Sequence, residues 1–282
     1  MTSALNPDLA LALEVADRAD AIALDRFRAL DLVVETKPDL TPVSDADRAV
    51  EEEIRSYLSA ARADDAIQGE EFGTSGRSSR QWIIDPIDGT KNYVRGVPAW
   101  ATLIALTDSI SGSTSGSASG SSRARRRSDD IVLGVVSAPA IGMRWWAALG
   151  DGAWMQASGQ PPRRIHVSAV QQIGDASVSY SDWNDPAWEA SGTKNGFQRL
   201  LETAWRSRAF GDFWSHMLVA EGAMDIAVEP ELSVWDQAAV IPIVREAGGK
   251  VTSFGGFDPI EGENSLTSNG LLHQQVVDLL NS

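Results

Sequence analysis

Trp82-Ile83-Ile84-Asp85-Pro86-Ile87-Asp88-Gly89-Thr90 is the stretch on which the reading of this chain turns. Three bulky apolar residues in a row read as a short buried strand, and Asp85-Pro86 ends it abruptly, because proline has no N–H to offer the next ladder position. The chain then turns and aims the Asp85 carboxylate, the Ile87 carbonyl and the Asp88 carboxylate at one point. Gly89 and Thr90 open a further turn or helix whose unpaired N–H groups suit a phosphate.

Two other places set acids beside turn-forming residues: Gly69-Glu70-Glu71 upstream and Val234-Trp235-Asp236 far downstream. Each alone has a plain structural reading, as a solvated turn, a strand terminator or a helix cap. Together they have a chemical one. If Glu70, Asp85, Asp88 and Asp236 converge, their repulsion raises pKa values and disfavours ionisation of all four, and a bound cation removes that conflict. The ligands would be oxygens only, with no His or Cys close by, which selects Mg²⁺ or Mn²⁺ over zinc.

Around these sites the chain alternates helix and strand. Asn6 caps a long amphipathic helix with Pro7 at its first position and an apolar stripe of Leu9, Leu13, Ala16, Ala23, Phe27 and Leu30. A second helix begins at Ser44, with Ala46, Val50, Ile54 and Leu58 on one side and acids on the other, and with Asp45 and Asp47 in its first turn, where the macrodipole favours carboxylates. Trp100–Leu106 and Val132–Ala138 read as strands. Between them, Ser109–Asp130 is rich in Ser and Gly, carries Arg123, Arg125, Arg126 and Arg127, and has almost nothing apolar to bury, so it reads as a disordered hairpin extension with no assigned role. Further on, Ala176–Tyr180 and Lys250–Ser253 read as strands, and helices are expected at Asn195–Trp205, Phe213–Glu221, from Asp236 to Gly248-Gly249 with a bend or lost hydrogen bond at Pro242, and at Leu271–Leu280.

A chain of 282 residues with 43% apolar residues can bury a large core, and two lobes are expected, 1–165 and 166–282. Its net charge of 24 − 39 = −15 argues against a nucleic-acid partner, which needs a basic footprint. The absence of cysteine excludes disulfides, thiolate catalysis and cysteine-bound metals. Neither a leader nor a bilayer-spanning run is legible, so no membrane partner and a cytoplasmic location are expected. His166, His216 and His273 lack the spacing of a zinc site or triad and read as noncatalytic, and most of the ten tryptophans as packing.

At this point Asp85-Pro86-Ile87-Asp88-Gly89-Thr90 resembles the signature of inositol monophosphatase-type phosphatases, and Trp235-Asp236 with Glu246-Ala247-Gly248-Gly249 resembles their second motif. Gly69-Glu70-Glu71, Lys37-Pro38-Asp39-Leu40-Thr41 with Asp45, and Ser268-Asn269-Gly270 extend the likeness over nearly the whole chain. The resemblance implies an αβαβα layered sandwich, an α+β N-terminal lobe with most metal ligands against an α/β C-terminal lobe, with the site in the cleft between them and commonly a homodimer. It implies that Glu70, Asp85, the Ile87 carbonyl, Asp88 and Asp236 hold two or three Mg²⁺ ions. Asp45 and Thr90 would orient and deprotonate the attacking water, with Glu70 completing the catalytic set, and Asp88, Gly89, Thr90 and Asp236 would face the phosphate.

The leaving group would be selected by Arg208-Ala209-Phe210-Gly211-Asp212 and by Glu229. An Arg-x-x-Gly-Asp sequence is similar to the histidinol-phosphatase branch, which implies a small phosphate ester bearing cations. A carboxylate at Asp212 suits an ammonium or imidazole better than a neutral polyol. Asp212 has a local reading as well, as a partner of Arg206 or Arg208. An inositol or broad sugar-phosphate phosphatase, and a noncatalytic regulatory protein on the same scaffold, are the competing readings.

Overall fold

Asn6 opens the first helix as its chemistry requires: its side chain accepts from the N–H of Asp8 at 2.9 Å, and Pro7 occupies the first helical position. The computed structural model describes residues 6–38, 40–109 and 127–282. The first half runs α1 (Pro7–Arg26), β1 (Val34–Thr36), β2 (Pro42–Ser44), α2 (Asp45–Ala61), β3 (Ala66–Gly69), β4 (Gly73–Ser75), β5 (Arg80–Asp88), α3 (Thr90–Val94) and β6 (Ala101–Asp108). Then come β7 (Ile131–Ala138), β8 (Met143–Ala148), β9 (Gly152–Ala157), β10 (Arg163–Arg164), β11 (Ser177–Ser179), α4 (Ala187–Ala190), α5 (Lys194–Thr203) and β12 (Arg206–Arg208). The chain closes with α6 (Asp212–Ala220), β13 (Ile226–Glu229), α7 (Val234–Ala238), α8 (Val240–Glu246), β14 (Lys250–Thr252), α9 (Pro259–Gly262), β15 (Ser265–Ser268) and α10 (His273–Leu280).

Apart from the two-stranded β1-β2 sheet, two sheets separate three helical layers. The larger sheet has the order β10-β9-β8-β7-β6-β5-β3-β4 and the smaller β12-β11-β13-β15-β14. Trp82 and Ile84 of β5 point into a core shared with α1 and α2, whereas Ile83 between them points into a second core with Phe213 and Met217 of α6 and Ile241 and Val244 of α8. Both faces of β5 are therefore buried, which explains why it reads as an unbroken apolar run. Val219 of α6 packs on Ala227 of β13, and α5 and α10 cover the outer face of the smaller sheet through Phe197, Leu200, Val276 and Leu280. The result is the αβαβα sandwich, with α6, α7 and α8 of the second half lying directly on the sheet of the first.

Several local expectations change. The buried stripe of α1 is Leu9, Ala12, Val15, Ala16, Ala19 and Ala23; Leu13 is only partly buried, and Leu30, beyond the helix end, is exposed. Phe27 leaves the helix and packs against Tyr93 and Trp100, with ring centroids 5.3 and 5.4 Å away. In α2 the acids do not all face water: Asp47 and Glu51 are fully buried. The strand at Trp82 does not end at Asp85-Pro86 but continues to Asp88 through an irregularity, in which Asp85 pairs with Leu103 and Asp88 with Ala101. The helix expected from Asp236 starts at Val234 and is broken at Ala239 into α7 and α8.

Of the segment 109–130, residues 110–126, with Arg123, Arg125 and Arg126, lie outside the described residues. Its end is a fixed turn: Ser128 is buried, its N–H and Oγ both donate to Asp258 at 2.9 Å, and Arg245 donates to its carbonyl and Oγ. The flanking β6 and β7 pair antiparallel.

Candidate active site

The irregularity in β5 builds the centre of the site. In a regular strand, side chains three positions apart face opposite ways. Between the pairs Asp85–Leu103 and Asp88–Ala101, β5 has one residue more than β6, and this bulge brings both carboxylates to the same side. Thr102 Oγ1 donates to the Pro86 carbonyl at 2.8 Å and fixes the extra residue. Asp236, in the first turn of α7, meets them from across the molecule, so that one oxygen from each of Asp85, Asp88 and Asp236 lies within 4.8 Å of the others.

Each of the three is braced by a backbone donor. Asp85 Oδ1 accepts from the Ile87 N–H at 3.0 Å, Asp88 Oδ2 from the Phe213 N–H at 2.7 Å, and Asp236 Oδ2 from the Ser233 N–H at 2.6 Å. Glu70 reaches the same cavity, of about 410 Å³, from the end of β3. Its turn is organised by Glu51, whose buried carboxylate accepts from the N–H groups of Glu71 (2.7 Å) and Phe72 (3.2 Å). Lys37 Nζ lies 2.6 Å from both Glu70 and Glu71.

Burial, reinforced by neighbouring acids, makes this cluster hard to ionise. Asp85 is pushed well above the ordinary carboxylate range by burial and then by the charges of Glu70, Asp88 and Asp236. Asp88 moves the same way through burial and then Asp212 and Asp236, and Asp236 is raised to about 7, chiefly by burial. A divalent cation is the natural counter-charge for such a cage. The donor set fits it: carboxylates only, plus the Ile87 carbonyl on the cavity wall, which accepts from Thr90 Oγ1 at 2.9 Å and keeps its second lone pair.

Beside the cluster, Gly89 adopts a left-handed conformation (φ 82°) as the residue before α3, and a side chain there would meet the Ala99 carbonyl at 3.0 Å and Asp212 Oδ2 at 3.2 Å. Glycine is required on both counts. Thr90 follows, at the cavity wall.

Three expected residues stand elsewhere. Thr90 Oγ1 bonds Asp47 Oδ1 at 3.2 Å, not Asp45; Asp45 turns away to pair with Arg26 at 2.7 Å. Successive helical residues are rotated by about 100°, so only one of the two acids can face Thr90. Asp47 is also locked by Ser44, whose N–H and Oγ donate to its Oδ2 at 2.8 and 2.6 Å, and burial raises its pKa. Arg208 is exposed on the edge strand β12 and, among the described residues, bonds the neighbouring Ser207 carbonyl, away from the cavity wall. Glu229, at the end of β13, is 3% exposed and does not line the cavity; burial raises it well above its ordinary pKa, and the charges of Asp212 and Asp185 on the cavity wall push the same way.

Asp212 does face the cavity, and it pairs with neither Arg206 nor Arg208: its Oδ2 accepts from Asn92 Nδ2 at 3.0 Å, and burial raises it to about 6. His216 and His273 are buried against hydroxyls, with Thr267 bonding the first and Thr252 and Ser268 the second. Sequence reasoning missed Asp47, Lys37, Lys91 and Asp185 as site residues. Asp185-Pro186 repeats the acid-proline pattern of Asp85-Pro86, and Ser44-x-x-Asp47 is a capping pattern; both signals were readable.

A five-layer sandwich with a caged acid cluster between its sheets defines a metal-dependent phosphatase class, and the chain belongs to the inositol monophosphatase family, whose model matches residues 4–114 and 127–281. The unmatched residues between these two stretches fall within the Ser/Gly/Arg run. A histidinol-phosphatase of Streptomyces coelicolor is 51% identical over 274 residues, covering 97% of each chain. One of Mycobacterium tuberculosis is 50% identical over 276 residues, covering 98% of each. Among solved structures, the extragenic suppressor protein suhB of Bartonella henselae matches with a TM-score of 0.82 at 27% identity, covering 98% of this chain and 99% of that one.

Proposed function

We propose that the protein is a Mg²⁺-dependent phosphomonoesterase that hydrolyses L-histidinol phosphate to L-histidinol and orthophosphate, a step of histidine biosynthesis, as a cytoplasmic homodimer. The observation that carries the substrate reading is the Asp212 carboxylate at the cavity wall, beside Gly89 and paired with no arginine among the described residues, in a chain about half identical to two histidinol-phosphatases. No described helix is long and apolar enough to cross a membrane.

Glu70, Asp85, Asp88, Asp236 and the Ile87 carbonyl would hold two or three ions, with Mn²⁺ as an alternative occupant. Bound there, the cations would supply positive charge to the phosphoryl oxygens and acidify water. The protein supplies the rest. At the start of α3 the Gly89 carbonyl takes the N–H groups of Asn92 and Tyr93 at 2.9 and 3.0 Å, which leaves those of Thr90 and Lys91 to face the ester phosphate. The single Thr90 hydroxyl proton has two acceptors within reach, the Ile87 carbonyl at 2.9 Å and Asp47 Oδ1 at 3.2 Å; turned toward Asp47, it is passed on as Oγ1 orients the attacking water and takes that water's proton. The new P–O bond forms to the water oxygen, the ester P–O bond breaks, and the alkoxide leaves as L-histidinol by taking a proton from a solvent water, whose hydroxide is neutralised by the proton that Asp47 gives up. Asp212 receives the cationic end of that leaving group in a charge-assisted hydrogen bond.

The test is phosphate release with saturating Mg²⁺, comparing kcat/KM for L-histidinol phosphate and inositol 1-phosphate, with an EDTA control. Metal-dependent preference for histidinol phosphate is expected. Preference for the inositol ester would move the protein to a polyol substrate, and no turnover of either would favour a regulatory role on the same scaffold.

A further inference from the structure

Asp212 is placed by a set of contacts that local sequence does not account for. It is one of the few described non-glycine residues in the left-handed region (φ 49°), a conformation that aspartate tolerates better than most residues and that the contacts around it here select. Ser181 Oγ accepts its N–H at 2.9 Å from the smaller sheet's side of the site. From the other side, Asn92 on α3 donates from Nδ2 to Asp212 Oδ2 at 3.0 Å. The same Nδ2 donates to the Ala99 carbonyl at 3.0 Å, which fixes the amide on the loop that leads into β6.

We infer that Asn92 is a positioning residue for substrate selection, orienting the Asp212 carboxylate toward a cationic leaving group without neutralising it; this rests on the substrate reading above. The chemistry of the amide is what makes it suitable. An arginine in its place would satisfy Asp212 and cancel its charge, whereas a neutral donor fixes Oδ2 and leaves the carboxylate charged, with Oδ1 available to the ligand. Lys91 on the cavity wall contributes charge near Asp212 but its nitrogen makes no ion pair with it among the described residues. Without the amide, the carboxylate gains rotational freedom that ligand binding must remove.

The experiment uses the full chain with saturating Mg²⁺ and three variants: Asn92→Leu, which keeps the volume and removes the donor, Asp212→Asn, and the two combined. The readouts are kcat and KM on L-histidinol phosphate and inositol 1-phosphate, thermal midpoint, and the affinity for L-histidinol by titration calorimetry. Asn92→Leu is expected to lower the preference for histidinol phosphate roughly tenfold, mainly through KM, to weaken L-histidinol binding, and to add little on top of Asp212→Asn. If Asn92→Leu folds poorly, Asn92→Ala carries the same comparison. Equal losses on both esters with unchanged KM, or a preference kept in Asn92→Leu and lost in Asp212→Asn, would overturn the inference alone. A wild-type enzyme with no preference would overturn the substrate reading, and this inference with it.

Discussion

Asp47 holds its place by being buried at the third position of α2, where it closes a capping box with Ser44. Its Oδ2 is tied to Ser44 and its Oδ1 is free to meet Thr90. Asp47→Asn keeps the shape and removes the proton acceptor, so kcat should fall by about 100-fold or more while the thermal midpoint moves little. Asp45→Asn only breaks a half-exposed pair with Arg26, worth about 1 kcal/mol at most, and should leave turnover within a few-fold; the reverse ranking in a phosphate-release assay would return the base to Asp45. Gly69 offers a second residue-scale test. A methyl group there would sit 2.0 Å from Glu51 Oε1, so Gly69→Ala must displace the carboxylate that holds the Glu71 and Phe72 amides. Glu70 lies within that turn, and Mg²⁺ affinity measured by calorimetry should drop roughly tenfold; an unchanged affinity would show that Glu51 does not set the turn. At this scale Asp85, Asp88, Glu70 and Asp236 were legible because turn residues flank them, whereas choosing Asp47 over Asp45 needs the rotation of α2, and excluding Arg208 needs the sheet edge.

Elements obey the same constraint from a different direction. Pro242 does not kink a continuous helix; the helix restarts at Val240, which puts Pro242 in a first turn, where a missing N–H breaks no intrahelical bond. The restart lets α8 settle closely on β7: a methyl group on Gly134 would lie 2.2 Å from the Ala239 carbonyl and 2.8 Å from the Pro242 ring. Gly134→Ala should therefore push α8 off the sheet and destabilise the fold by about 1–3 kcal/mol, read as a lower denaturation midpoint. Wild-type stability in that variant would mean that the helix-to-sheet contact is loose. Proline signalled an interruption in the sequence, but its form, two helices with Ala239 between them, depends on this contact. Strands β8 and β9 were not legible for a related reason. Trp145, Ala147, Ala153 and Met155 face the middle helical layer while Trp146 and Ala148 face the outer core, so no polar-apolar alternation marks them.

The molecule as a whole buries titratable groups of two opposite kinds between its layers, and this sets a pH response no single element would have. His216 and His273 are pulled down to about 4, chiefly by burial. Unfolded, they titrate near ~6.5, so between ~6.5 and ~4 the unfolded chain binds more protons, and stability is lost as pH falls through that window. The acids act with the opposite sign. Asp236 is raised to about 7 and Asp212 to about 6, against an unfolded value near ~4, so the folded chain binds more protons and stability is lost as pH rises toward 7. In EDTA the two responses oppose one another between pH 5 and 6.5, and the thermal midpoint should vary little there. Saturating Mg²⁺ binds the ionised carboxylates and reverses their contribution, leaving the histidine slope uncovered, so the midpoint should climb with pH and the gain over EDTA should widen from pH 5 to pH 7. The double variant His216→Gln, His273→Gln should flatten the climb below pH 6.5. A Mg²⁺-induced gain that is the same at pH 5 and pH 7 would show that protons and cation do not compete for the Asp85, Asp88 and Asp236 cage.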